Sequence, residues 1–66
     1  MGKTRLRELR EALGLTQSKL ANEIGVNHRT ISSYEVGRIE PDIDTIKKLC
    51  KFFDVTSDYL LGITDF

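Results

Sequence analysis

Several residue types are scarce in this 66-residue chain, and each scarcity closes a class of function. Cys50 is the only cysteine and His28 the only histidine, so neither an internal disulfide nor a paired-ligand zinc site can be built from them. A lone thiol suits a reducing compartment, and the expectation is a cytoplasmic protein in which Cys50 is a small core residue. No apolar run approaches the roughly 20 residues of a membrane span. The start, Met1-Gly2-Lys3-Thr4-Arg5, is basic but has no apolar stretch behind it, and so does not read as a secretory leader. Leu6 stands where a myristoylation signal wants Ser or Thr. A convergent set of titratable groups is also missing, which argues against an enzyme; no metal or cofactor is expected, and nothing in the sequence looks like a small-molecule pocket.

Net charge is zero, which at first sight argues against a polyanionic partner. The distribution says otherwise. Residues 1–38 carry seven Lys or Arg (Lys3, Arg5, Arg7, Arg10, Lys19, Arg29 and Arg38) against four Glu, a local excess of three positive charges. Residues 39–66 carry three Lys against six acidic residues, an equal excess of the other sign. Such a dipolar chain can turn one positive face toward phosphates, with weaker non-specific attraction than a strongly basic domain.

What is present is 39% apolar and 30% charged residues, with apolar positions at helical spacing. A chain this short buries only about 60% of its extended surface, so a single domain, 1–66, with a small core is expected. Five helices are predicted. The first spans about Thr4 to Leu13, with Leu6, Leu9 and Leu13 on one face and Gly14 as its stop. Thr16 caps a second through Glu23, buried along Leu20, Ala21 and Ile24. Gly25 supplies a sharp turn and Val26 plugs the corner. Asn27 caps a third helix to about Glu35, which Gly37 ends. Asp42 caps a fourth through about Phe53, with Ile46, Leu49, Cys50 and Phe53 inward. Thr56 caps a fifth that closes at Gly62. No segment alternates with period two for long enough to form a strand, so the fold is expected to be all-α.

The stretch from Thr16 to Glu35 carries the functional signal. With about 100° between successive residues, Ile31 and Tyr34 define the inner side of the third helix. Arg29, Ser32 and Ser33 then point outward, with His28 and Thr30 at the flanks. A short helix edged with small polar and basic side chains fits the DNA major groove. There arginine can bond bidentately to guanine and serine can donate or accept. The start of the second helix, at Thr16 and Gln17, exposes backbone N–H groups with partial positive charge, a seat for phosphate. Arg38, just past the third helix, is a further phosphate candidate, as are Asn27 and Thr30.

These residues resemble the helix-turn-helix domains of the phage lambda repressor and Cro type, the xenobiotic-response-element-like family of bacterial regulators. The resemblance spans residues 5–61. It rests on Leu6-Arg7-Glu8-Leu9-Arg10-Glu11, Gly14-Leu15-Thr16-Gln17, Leu20-Ala21, Gly25-Val26, Ile31-Ser32-Ser33-Tyr34-Glu35, Gly37, Pro41, Phe53-Asp54-Val55-Thr56 and Asp58-Tyr59-Leu60-Leu61-Gly62. It implies a compact five-helix fold with the third helix as recognition helix. Base contacts would come from His28, Arg29 and Ser33, with Ser32 an occasional fourth. It implies that Gln17 touches the DNA backbone and braces the residue at His28, and that Arg10 and Glu35 form a buried ion pair. Tyr34 stands where many such domains carry tryptophan, a change expected to alter core packing alone.

The reading that follows is a sequence-specific regulator, a repressor, that binds double-stranded DNA as a homodimer on a roughly palindromic operator. Leu61, Ile63 and Phe66, which lie where little core remains to fill, form a candidate dimer surface. The alternative is a protein-interaction bundle, such as an antitoxin or adaptor, that uses the same fold without reading DNA. Many members of the resembling family continue past the Gly-x-Thr-Asp seen at residues 62–65 into a second domain, so the chain is either a stand-alone regulator or part of a longer one.

Overall fold

A computed structural model describes residues 4–64 and contains five α-helices: α1 (Leu6–Ala12), α2 (Gln17–Ile24), α3 (His28–Glu35), α4 (Ile43–Phe53) and α5 (Ser57–Leu60). There is no strand among the described residues. Four helices begin alike. The residue before the first turn is extended, and its short side-chain oxygen accepts a backbone N–H that the helix cannot satisfy itself. Thr16 Oγ1 accepts from Lys19 N at 3.0 Å, Asn27 Oδ1 from Arg29 N at 2.8 Å, Asp42 Oδ1 from Thr45 N at 2.8 Å, and Thr56 Oγ1 from Tyr59 N at 3.2 Å.

α1 departs from expectation at both ends. Thr4 is outside the helix because its hydroxyl takes the Leu6 N–H at 3.2 Å, a local turn that competes with helix. Arg5 N donates to Leu60 O at 2.8 Å, tying the start of α1 to the end of α5. Beyond Ala12 the last turn tightens, with Leu13 N on Arg10 O, and Leu13 swings off the buried face to 57% exposure. The Leu6–Leu9–Leu13 stripe is therefore a two-residue stripe: Leu6 is buried and Leu9 partly so.

Two stops share one geometry. Gly25 has φ +78°, and the N–H groups of Gly25 and Val26 both reach Ala21 O. Asp54 has φ +57°, and the N–H groups of Asp54 and Val55 both reach Cys50 O. In each case the valine that follows is half-buried against the core, the apolar contact usual after a left-handed helix stop. Glycine is the natural residue at such a φ; Asp54 adopts it as one of the few other types that tolerate it.

The core is Leu6, Leu20, Ala21, Ile24, Ile31, Tyr34, Leu49 and Leu60, with Leu9, Val26, Ile46, Cys50, Phe52, Phe53 and Val55 packed around it. Phe52 and Phe53 meet edge to face with centroids 5.0 Å apart. Ile46, Cys50 and Phe53 are only partly buried, so Leu49 alone seals the inner line of α4. Burial pushes the Cys50 thiol above its usual range, favouring the protonated form. α2 packs most extensively on α3 and also contacts α4. The hinge of that pair at Gly25 thus fixes how α3 is presented.

Near the chain ends, the Arg5 guanidinium lies over the Tyr59 ring, 4.5 Å from its centroid, and Arg5 Nη2 donates to Thr64 O at 2.9 Å. The first and last described turns are joined through this one side chain.

Candidate nucleic-acid interface

α3 has two sides of opposite character. Ile31 and Tyr34 are buried at 0% and 7% exposure and anchor the helix on α2. His28 and Arg29 are exposed, while Thr30, Ser32 and Ser33 are half-buried. The ridge expected from helical spacing is open at His28 and Arg29 and partly covered at Ser32 and Ser33. It starts at Asn27, whose side-chain oxygen is engaged in the cap, leaving its N–H2 group for an outside acceptor. Arg38 follows the helix on an exposed loop, its N–H held by Ser33 O at 2.9 Å.

At the start of α2, Thr16 Oγ1 and Thr16 O take the N–H groups of Lys19 and Leu20. The Gln17 and Ser18 N–H groups, the first two of the helix, have no acceptor among the described residues. Thr16 and Ser18 are exposed and Gln17 is half-buried. Helix polarity and open donors coincide there.

Beneath these surface groups runs a polar network. Arg10 Nε and Nη2 donate to Glu35 Oε2 and Oε1 at 2.6 and 3.1 Å, a two-pronged pair with side chains 12% and 4% exposed. Arg10 Nη1 donates to Leu15 O at 2.7 Å, and Gln17 Nε2 donates to Glu35 Oε1 at 3.0 Å. The hydrogen bonds that Arg10 donates to Glu35 outweigh burial and raise its pKa above the ordinary value, so the guanidinium stays charged. The Arg10–Glu35 pair is thus where the resemblance puts it. Gln17 differs: its amide goes to Glu35 at the far end of α3, and no hydrogen bond joins it to His28 among the described residues. The bond from Arg10 to the Leu15 carbonyl was not legible in the sequence, because any residue type could have supplied that acceptor.

On the candidate dimer surface, Ile63 is 66% exposed and Leu61 is half-buried. Phe66 lies outside the described residues. Leu61 also lines a cavity of about 270 Å³ with Tyr34, Ile39, Pro41 and Ile46.

Comparison with known proteins fits this arrangement. A family profile described as helix-turn-helix matches residues 6–60. The HTH-type transcriptional regulator ImmR of Bacillus subtilis is 40% identical over 58 residues, which cover 88% of this chain and 46% of that protein. The chain spans about half the length of the first curated relatives it matches. The P22 c2 repressor, solved in complex with a synthetic operator, superposes with a TM-score of 0.82 at 33% identity and 86% coverage of both chains. The restriction-modification controller protein C.AhdI of Aeromonas hydrophila superposes with a TM-score of 0.76 at 36% identity and 85% coverage of both. With the profile covering most of the chain and the fold shared with these repressor-type domains, the chain belongs to the lambda-repressor-like helix-turn-helix family.

Proposed function

We propose that the chain is a sequence-specific DNA-binding transcriptional regulator, acting as a repressor. The observation that carries this reading is the split of α3: Ile31 and Tyr34 lock its inner side while His28 and Arg29 stand exposed. Placed in the major groove, α3 brings His28, Arg29, Ser32 and Ser33 to base edges. Thr16, Gln17, Asn27, Thr30 and Arg38 take phosphates on either side and set the register. The superposition on a repressor solved with its operator supports this placement. This reading puts the chain in the cytoplasm and assigns it no cofactor and no enzymatic step; no described helix is long and apolar enough to cross a membrane.

The functional unit we propose is a homodimer that meets at Leu61 and Ile63 and reads two half-sites of a roughly palindromic operator. Selection of binding sites from a random duplex library tests the whole reading. A recurrent, dyad-symmetric sequence is the expected result. Binding that is equally weak for every sequence, or no binding, would overturn it in favour of a protein-interaction role.

A further inference from the structure

The Arg10–Glu35 pair joins α1 to α3, and Gln17 brings a third helix into it. A carboxylate only accepts hydrogen bonds, so Glu35 dictates which end of the Gln17 amide faces it. Nε2 is turned to Glu35, and its second N–H is left as a donor beside the open N–H groups of Gln17 and Ser18. Arg10 contributes twice. Its two-pronged grip cancels the carboxylate charge that would otherwise repel a phosphate near Gln17, and its Nη1 fixes the carbonyl of Leu15, the residue before the α2 cap. The start of α2 and the end of α3 are thereby set at one spacing by the deeply buried Arg10–Glu35 pair and the half-buried Gln17.

We infer that Glu35 is a positioning residue for DNA-backbone binding: it holds the Gln17 amide ready to donate to a phosphate, and Arg10 makes this electrostatically tolerable. The inference rests on the DNA-binding reading above. It assigns the buried pair a role in affinity although neither partner touches DNA.

The test is a double-mutant cycle on the whole chain, read by affinity for the selected operator and for random duplex. Gln17→Met keeps the volume and removes the amide. It is expected to weaken both DNAs alike, by about 3- to 10-fold, the share of one hydrogen bond. Replacing the pair together, Arg10→Met with Glu35→Leu, leaves no orphaned charge in the interior. That background is expected to show the same loss, and adding Gln17→Met to it to cost nothing more. An equal extra loss in that background, or no loss from Gln17→Met alone, overturns the inference while leaving DNA binding intact. Failure of the unmodified chain to bind any DNA overturns both readings. Should the paired replacement not fold, the unmodified chain supplies a second readout by NMR. One of the two Gln17 side-chain N–H protons is expected to be protected from solvent exchange, and the other to shift when random duplex is added. Exchange as fast as in a free glutamine for both protons, with no shift on adding duplex, overturns the inference.

Discussion

Arg29 and Ile31 are two positions apart on α3 and meet opposite surroundings, water for one and a sealed interior for the other. Their consequences on substitution differ accordingly. Arg29→Ala removes no packing, so the fold should hold while binding to the selected operator falls by about 1–3 kcal/mol and preference relaxes at one base pair. Competition binding against single-base operator variants measures this, and an equal loss on random DNA would rule out direct readout. Arg38→Ala, by contrast, should weaken all sequences alike and lower the salt slope by about one ion. A slope that stays put removes Arg38 from the phosphate contacts. Both arginines could be singled out from the chain alone, since helical periodicity and position after a stop are local properties. The destination of Gln17 could not: its partner is 18 residues away, and only the packing of α2 on α3 brings them together. Leu13 shows the same limit, because one tightened turn was enough to move it from the expected inner face into solvent.

Helix ends make the sharpest claims about whole elements. At Gly25 a Cβ would meet nothing within 4 Å, so the cost of Gly25→Ala is the left-handed backbone alone. That strain, partly offset by a stiffer unfolded chain, should cost about 1 kcal/mol in denaturant unfolding. A cost near zero would mean the turn relaxes, and with it the angle between α2 and α3. At α4 the cap is titratable. The hydrogen bonds from the Thr45 side chain and backbone N–H hold the Asp42 carboxyl below its ordinary pKa. A depressed folded pKa means the carboxylate stabilises the folded chain above its unfolded pKa, and this contribution disappears as pH falls through the folded value. Asp42→Asn keeps a capping oxygen but cannot titrate, so its stability should vary less with pH across the acid range; an unchanged acid slope would show that the cap carries none of it. Four caps and the glycine stops were visible as short oxygen-bearing or glycine residues flanking apolar periods. The stop at Asp54 was not, because aspartate only occasionally takes a left-handed φ and the residue type does not announce it.

At the scale of the molecule, a body of 27 × 23 × 20 Å carries opposite charge in its two sequence halves and cancels them in total. Two copies related by a dyad would set their α3 helices about 34 Å apart, one turn of duplex, and the spacing of selected half-sites reports this directly. Ile63 is exposed, so Ile63→Ser should leave monomer stability within about 0.5 kcal/mol. The same change should lower binding to a paired site far more than to a single half-site, and shift sedimentation toward monomer. Equal effects on both sites would place the contact between copies elsewhere.

The Arg5 clamp has a mechanical corollary. With its amide on Leu60, its guanidinium over Tyr59 and a further bond to Thr64, the opening of the chain acts as a latch on its close. Trimming through Arg5 would strip the stretch after α5 of its tether to α1, leaving it on the bonds its own N–H groups make back to Tyr59 O and Asp58 O.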